Sequence, residues 1–230
     1  RLQRRLGGLF DGGEFKKISL PSVPEDPLKF KDKKRYTDRL KDSRAKTKEK
    51  DAIVVAKGLV GGQKAVIAAF NFAFMGGSMG AAVGEGIVTA AEAAVKEGAA
   101  LIVVPSSGGA RMQEGAISLM QMPRTIIGVT MVKNAGLPYI VLLTNPTTGG
   151  VSASFAMVGD IHISEPGAMI GFAGKRVIEE TIREKLPEDF QTAEYLLAHG
   201  MVDMVVPRAE LNAQIGKILT LLMDTKQAAA

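Results

Sequence analysis

Two uninterrupted apolar runs, Leu101-Ile102-Val103-Val104-Pro105 and Tyr139-Ile140-Val141-Leu142-Leu143-Thr144, constrain the fold more than any other feature of this chain. A strand with one face in water alternates apolar and polar residues, whereas a strand apolar at every position is buried on both faces. Burial on both faces requires helices above and below the sheet, so a layered α/β domain is expected. At 230 residues the chain is long enough to close a full core without a metal or disulfide staple.

From Asp51 onward, strands and helices alternate. The pattern predicts a hairpin of Ala52–Leu59 and Lys64–Phe72 around Gly61-Gly62-Gln63, a helix at Gly80–Lys96, a strand at Ala100–Pro105 and a helix at Met112–Asn134. It continues with a strand at Pro138–Thr144, a short helix at Gly150–Val158, strands at Asp160–Ser164 and Ala168–Gly171, and helices at Lys175–Arg183 and Asp189–His199. A strand at Met201–Val206 and a helix at Arg208–Met223 complete the domain, residues 51–230. Residues 1–50 form a different region, a charged lead-in. After the Pro21–Pro27 linker, basic residues from Lys29 to Lys50 interleave with Asp32, Asp38, Asp42 and Glu49. Sparse apolar anchors at Phe30, Tyr36 and Leu40 predict one helix lying on the surface. Mixed charge makes a poor phosphate track, so a solvated face is preferred to nucleic-acid binding, and attraction of a small polyanion remains open.

Composition excludes several chemistries. With no Cys, the residues present offer no disulfide, thiolate nucleophile or cysteine metal site. His162 and His199 lie far apart; the first reads as structural within a strand, the second as a cation at a helix C-terminus. The uncharged stretches 65–84 and 135–159 are interrupted by Asn71, prolines and glycine clusters, so neither reads as a membrane span. Arg1 in place of an initiating Met points to a segment of a longer product.

The glycine loops match no common nucleotide motif. Met75-Gly76-Gly77-Ser78-Met79-Gly80 does not fit G-x-G-x-x-G, and Gly174-Lys175-Arg176 lacks both the earlier Gly and the Ser/Thr of a P-loop. Gly150-Val151-Ser152-Ala153-Ser154 lacks the second Gly of a serine-hydrolase elbow. Three glycine pairs remain, Gly76-Gly77, Gly108-Gly109 and Gly149-Gly150, each predicted between a strand and a helix. Such a turn can be merely tight, or it can present backbone N–H groups to an oxygen that gains negative charge. Arg111 can contact substrate or brace its loop, and Glu114 can favour a helix N-terminus. Oxyanion donors without an evident side-chain base suit a reaction whose base arrives with a substrate or cofactor.

Phe72-Ala73-Phe74-Met75-Gly76-Gly77-Ser78-Met79-Gly80, Ser106-Ser107-Gly108-Gly109-Ala110-Arg111-Met112-Gln113-Glu114 and Asn145-Pro146-Thr147-Thr148-Gly149-Gly150-Val151-Ser152-Ala153-Ser154-Phe155-Ala156 occur in this order. Together with Leu9–Phe15, Tyr36–Leu40, Glu165-Pro166, Ile170–Gly174 and Arg176–Glu179, this set resembles the carboxyltransferase beta subunits of bacterial and plastid-type acetyl-CoA carboxylase. The resemblance implies a crotonase-type (ClpP/crotonase-like) α/β fold of repeated ββα units. It implies transfer of a carboxyl group from carboxybiotin, held on a biotin carboxyl carrier protein, to acetyl-CoA, giving malonyl-CoA for fatty acid biosynthesis. The implied partners are a carboxyltransferase alpha subunit in an alpha2beta2 heterotetramer and biotin carboxylase in a larger complex, in a bacterial cytoplasm rather than a plastid stroma.

Carried over residue by residue, the resemblance places an oxyanion hole at the backbone of Gly109, Ala110, Gly149 and Gly150. Phe74, Met75, Gly76, Gly77, Ser78, Arg111, Lys175 and Arg176 fall on the CoA side. The family's four-cysteine zinc ribbon has no counterpart here, so zinc is expected only in an N-terminal segment outside this sequence. Two rivals stand beside this reading: a stand-alone acyl-CoA hydratase or isomerase, which needs a carboxylate base such as Glu85, Glu92, Glu114 or Glu165, and a non-catalytic scaffold.

Overall fold

The computed structural model describes residues 2–227, with the side chains of residues 175, 176 and 224–227 outside the described set. Seven strands form one sheet in sequence order: β1 (Phe15–Ile18), β2 (Ile53–Val60), β3 (Gln63–Phe70), β4 (Ala100–Val104), β5 (Tyr139–Leu143), β6 (Ile161–Ser164) and β7 (Met204–Val205). The pairs β1–β2 and β2–β3 are antiparallel and the rest parallel, with Ile67, Ile102, Ile140 and Ile161 in register across the middle of the sheet. The helices are α1 (Leu2–Leu9), α2 (Tyr36–Thr47), α3 (Ala81–Glu97), α4 (Ala116–Asn134), α5 (Lys175–Ile182), α6 (Ala193–Ala198) and α7 (Leu211–Gln227).

The continuous apolar strands are buried on both faces, as their composition requires. Leu101 and Val103 pack with Ile87, Ala90, Ala94 and Val132 in the layer of α3 and α4. Ile102 and Val104 pack on the opposite face with Leu6, Leu9, Ile215 and Leu219 from α1 and α7. Helices α3 and α4 approach closely because small residues face each other: a Cβ on Gly128 would lie 3.5 Å from both the Ala91 Cβ and the Val88 Cα.

Each strand from β3 to β6 is followed by a single-residue bridge before the chain turns back. Met79 bridges Ala110, Ser107 bridges Thr147, and Thr147 bridges Ile170, all in parallel. The repeating unit is therefore a long strand, a minimal second strand, and a helix or helical turn. These bridges form a short second ladder, which gathers the glycine turns at one end of the main sheet.

Several boundaries differ from expectation. The predicted helix at 29–50 is confined to α2, and it is anchored in the protein: Tyr36 and Leu40 are 1% and 3% exposed. The helix predicted from Met112 begins at Ala116, because Gly115 (φ 50°) separates it from a 3₁₀ turn at Met112–Glu114. No α-helix forms at 150–158, where a 3₁₀ turn spans Phe155–Met157. There Ser152 donates to the carbonyls of Gly149 and Gly171, and Ser154 to that of Gly150, a local alternative to helical bonding. The predicted strand at 168–171 is reduced to its bridge, and β7 holds only Met204 and Val205. The sequence reading missed α1 and β1, although Leu2, Leu6 and Leu9 carry a helical spacing and are buried.

His162, on β6, illustrates how the core reports on pH. Its Nε2 accepts the Gly159 N–H at 3.1 Å, which requires that nitrogen to be unprotonated. Burial lowers its pKa; Asp203 and Asp160 oppose the shift and Lys133 adds to it. A histidine depressed in the folded state stabilises above its unfolded pKa of about 6.5 and loses that contribution as pH falls through the folded value. Chemical denaturation between pH 7.5 and 5.5 should therefore show declining stability, and the decline should be shallower in His162→Gln.

Candidate active site

The three glycine pairs meet. Gly108 donates its N–H to the Gly76 carbonyl at 3.0 Å, and Thr148 donates to the Ser107 carbonyl at 3.0 Å. A Cβ on Gly109 (φ 113°) would lie 3.3 Å from the Gly149 Cα, and one on Gly149 (φ 62°) 3.1 Å from the Gly109 Cα. Both positions thus combine a positive φ with close backbone approach, which glycine alone satisfies at low cost. At Gly77 a Cβ would overlap the Ser106 carbonyl oxygen.

Within this cluster the backbone donors divide sharply. Gly109 gives its N–H to the Ser107 Oγ at 3.0 Å, and Gly149 gives its own to the Phe172 carbonyl at 2.9 Å. Among the described residues, the N–H groups of Ala110 and Gly150 donate to no protein acceptor. Their directions follow from planar trans peptides, in which N–H points opposite to C=O. The Gly109 carbonyl accepts from Met79 at 2.8 Å, so the Ala110 N–H points away from Met79. The Gly149 carbonyl accepts from Ala153 and from Ser152 Oγ, so the Gly150 N–H points away from that turn. The Gly150 nitrogen lies 3.6 Å from the place of a Cβ on Gly109, which brings the two turns side by side. Met79 and Met122 wall the Gly150 side: a Cβ there would meet the Met122 Sδ at 3.2 Å and the Met79 Cε at 3.4 Å. Free amides beside apolar thioether side chains suit an acceptor oxygen that gains charge out of water. The sequence reading did not single out Met122, whose spacing in α4 reads as ordinary core.

Behind the site lies a buried ionic network. Arg111 is wholly buried, and its Nη1 and Nη2 reach Asp51 Oδ2 and Oδ1 at 3.0 and 2.6 Å. Its Nε donates to Ser78 Oγ (3.1 Å), Nη2 to the Ser78 carbonyl (2.9 Å) and Nη1 to Tyr36 Oη (3.0 Å). All five guanidinium donors are thereby taken, so Arg111 braces the loop and has none left for a substrate. Burial alone disfavours its charge, but Asp51 and Tyr36 lift its pKa above the ordinary arginine value. Tyr36 donates to Glu114 Oε1 at 2.6 Å, and burial raises its pKa, keeping the phenol protonated. Glu114 Oε2 accepts the Ala81 N–H at 2.6 Å. This carboxylate therefore serves the N-terminus of α3 rather than that of its own following helix, a stabilising placement for a negative charge.

The remaining predicted residues separate into groups. Met75, Gly76 and Ser78 are half-buried along the first turn, whereas Phe74 is wholly buried, with its ring 5.6 Å from the Arg111 Cζ. Phe74 and Arg111 thus stand behind the loop, not on an open channel. Lys175 and Arg176 open α5, but their side chains lie outside the described residues. Glu165 is held by Arg208 at 2.8 and 2.6 Å and by Arg5 at 3.3 Å, and Glu85 pairs with Arg124. A cavity of about 640 Å³ opens elsewhere, between residues 17–25, α2 and β2, and reaches Tyr36, Asp51 and Glu114 from outside.

Residues 29–217, which carry all three glycine turns, match the family described as the carboxyl transferase domain. Over 220 residues the chain is 64% identical to an acetyl-coenzyme A carboxylase carboxyl transferase subunit beta of Granulibacter bethesdensis, covering 96% of this chain and 72% of that protein. A subunit of the same name from Sinorhizobium fredii is 60% identical over 226 residues, 98% of this chain and 74% of the relative. The chain belongs to the family of acetyl-coenzyme A carboxylase carboxyl transferase beta subunits. Its backbone is similar to that of transcarboxylase 12S, with a TM-score of 0.74 at 23% identity over 95% of this chain and 40% of that one. The α/β fold is the crotonase type expected from the sequence.

Because Gly77 has no room beside the Ser106 backbone, Gly77→Ala should displace the first turn. The expected cost is about 1–3 kcal/mol, read by denaturant unfolding; an unchanged midpoint would contradict the close approach.

Proposed function

We propose that this chain binds acetyl-CoA and carries the oxyanion hole for its carboxylation to malonyl-CoA. The single observation that carries this reading is the pair of unengaged N–H groups at Ala110 and Gly150. They donate to the thioester oxygen and strengthen as it takes on enolate charge. Preorganised dipoles of this kind, held in a dry site, need little reorganisation when the charge develops. Biotin on a separate carrier protein would supply the carboxyl group and the base for the acetyl methyl proton, while this chain's amides would hold the thioester oxygen. The chain's own acids fit that division of labour. Glu114 is committed to Ala81 and Tyr36, Glu165 to two arginines and Glu85 to Arg124, and Glu92 is exposed along α3, which weighs against a stand-alone hydratase. Among the described residues no group of three His, Cys, Asp or Glu side chains is placed to hold a metal ion.

The biotin half of the site comes from a carboxyltransferase alpha subunit, in an alpha2beta2 assembly served by the biotin carrier protein and biotin carboxylase. Support for a protein partner comes from α4, which begins just after the oxyanion turn. Leu119, Met120 and Ile127 are 56%, 64% and 62% exposed, and with Met131 they form one stripe at helical spacing. Met112, in the turn before α4, is 64% exposed as well, and an exposed apolar face of this kind favours association. Among the described residues no helix is long and apolar enough to cross a membrane, and the bacterial relatives support a cytoplasmic setting.

The test is reverse transfer from malonyl-CoA to a free biotin analogue. The isolated chain should be inactive and the complex with its alpha subunit active; enoyl-CoA hydration by the chain alone would favour the hydratase, and an inactive complex the scaffold. Gly150→Val drives a side chain into Met122 and displaces one donor, so turnover in the complex should fall about 10²-fold or more. Full turnover in a folded Gly150→Val complex would remove Gly150 from the site. Ile127→Glu should weaken subunit association in sedimentation analysis while leaving the thermal midpoint of the isolated chain unchanged.

A further inference from the structure

We infer that the buried Tyr36–Glu114–Arg111–Asp51 network is a positioning device for the Ala110 donor, which makes α2 of the lead-in part of the catalytic apparatus. The inference rests on the oxyanion reading of Ala110 and Gly150 and assigns the residues that aim one of the two amides.

The geometry is that of a clamp. Ala110 is held between two backbone bonds to the same residue: Met79 donates to the Gly109 carbonyl at 2.8 Å, and Arg111 donates to the Met79 carbonyl at 2.9 Å. These bonds fix the peptide planes on either side of Ala110 and hence the direction of its free N–H. The Arg111 side chain then grips the residue preceding Met79, through both the hydroxyl and the carbonyl of Ser78. Glu114 grips Ala81, two residues beyond Met79. Residues 78, 79 and 81 are thus all tied to residues 111–114, and the charged groups of the tie, Arg111 and Glu114, are buried.

Tyr36 is the member best suited to a test. Its hydroxyl accepts from Arg111 and donates to Glu114, so one oxygen bridges the cation and the anion of the clamp. The bridge also reaches across the chain, joining α2 to the oxyanion turn over 75 residues of sequence. Removing that oxygen leaves the ring in place and lets the Arg111–Glu114 contact, 3.4 Å apart, relax. The cavity beside Tyr36, Asp51 and Glu114 gives the released groups room to move. Tyr36, Asp51 and Glu114 are positioning residues: they act on the substrate only through the Ala110 amide.

Arg111→Lys cannot reproduce the five-donor fork and can fail to fold, so the informative variant is Tyr36→Phe, studied in the complex with the alpha subunit. Acetyl-CoA labelled with ¹³C at the thioester carbonyl is stable there without carboxybiotin, and its carbonyl stretch can be read by difference infrared spectroscopy. In the wild-type complex the bound carbonyl should absorb at lower frequency than free acetyl-CoA, because two amides polarise it. In Tyr36→Phe that red shift should shrink, and kcat per folded complex should fall between about tenfold and 10²-fold, with the KM for acetyl-CoA within about twofold, as expected when an interaction made mainly in the transition state is lost. A red shift or a kcat unchanged in Tyr36→Phe overturns the positioning role while leaving the oxyanion hole standing. The absence of any red shift in the wild-type complex overturns both.

Discussion

A fully buried arginine is tolerated only where its charge is matched and its donors are filled, and that requirement organises this protein. Desolvating an ion costs several kcal/mol, and removing one partner of a buried pair costs about 3–5 kcal/mol because the other charge is stranded. Arg111 therefore fixes several places at once: the start of β2 through Asp51, the first glycine turn through Ser78, and α2 through Tyr36. Segments far apart in sequence converge on the residue that follows the Gly108-Gly109-Ala110 turn. The fold and the proposed site are in this sense one structure, since the ion pair that closes the core also ties down the residues around the second glycine turn.

Chemistry by backbone amide places unusual demands on the rest of the chain. A side chain can reach into a site from a firm helix, but an amide is only as well aimed as the turn that carries it. The bridges at Met79–Ala110, Ser107–Thr147 and Thr147–Ile170 answer that demand by tying each turn to the next. Gly109 and Gly149 spend their own N–H groups on Ser107 and Phe172, and this leaves the following residues as the free donors. The assignment to Ala110 and Gly150 is thus a consequence of which neighbouring donors are already occupied.

Much of this was legible in the sequence, for identifiable reasons. Runs such as Leu101–Val104 announce burial on both faces because no polar residue interrupts them, and repeated glycine pairs mark close backbone approach. The pattern at residues 150–158 suits a short helix, whereas Ser152 and Ser154 bond the local backbone instead. The Arg111 network was illegible because Asp51 and Tyr36 lie 60 and 75 residues away, and neither interrupts a local pattern. Tyr36 read as a sparse surface anchor, and only the tertiary structure shows it bonded to both Arg111 and Glu114. For Glu114 the sequence suggested a helix N-terminus but could not say that the helix served was α3.

The central claim is that a thioester oxygen sits between the amides of Ala110 and Gly150. The most direct measurement is an experimental structure of the alpha–beta complex with acetyl-CoA or a non-reactive thioether analogue bearing the same carbonyl. This oxygen should lie about 2.7–3.1 Å from both nitrogens, with the acyl group against Met79 and Met122. A carbonyl turned away from the two glycine turns, or held by side chains alone, would contradict it.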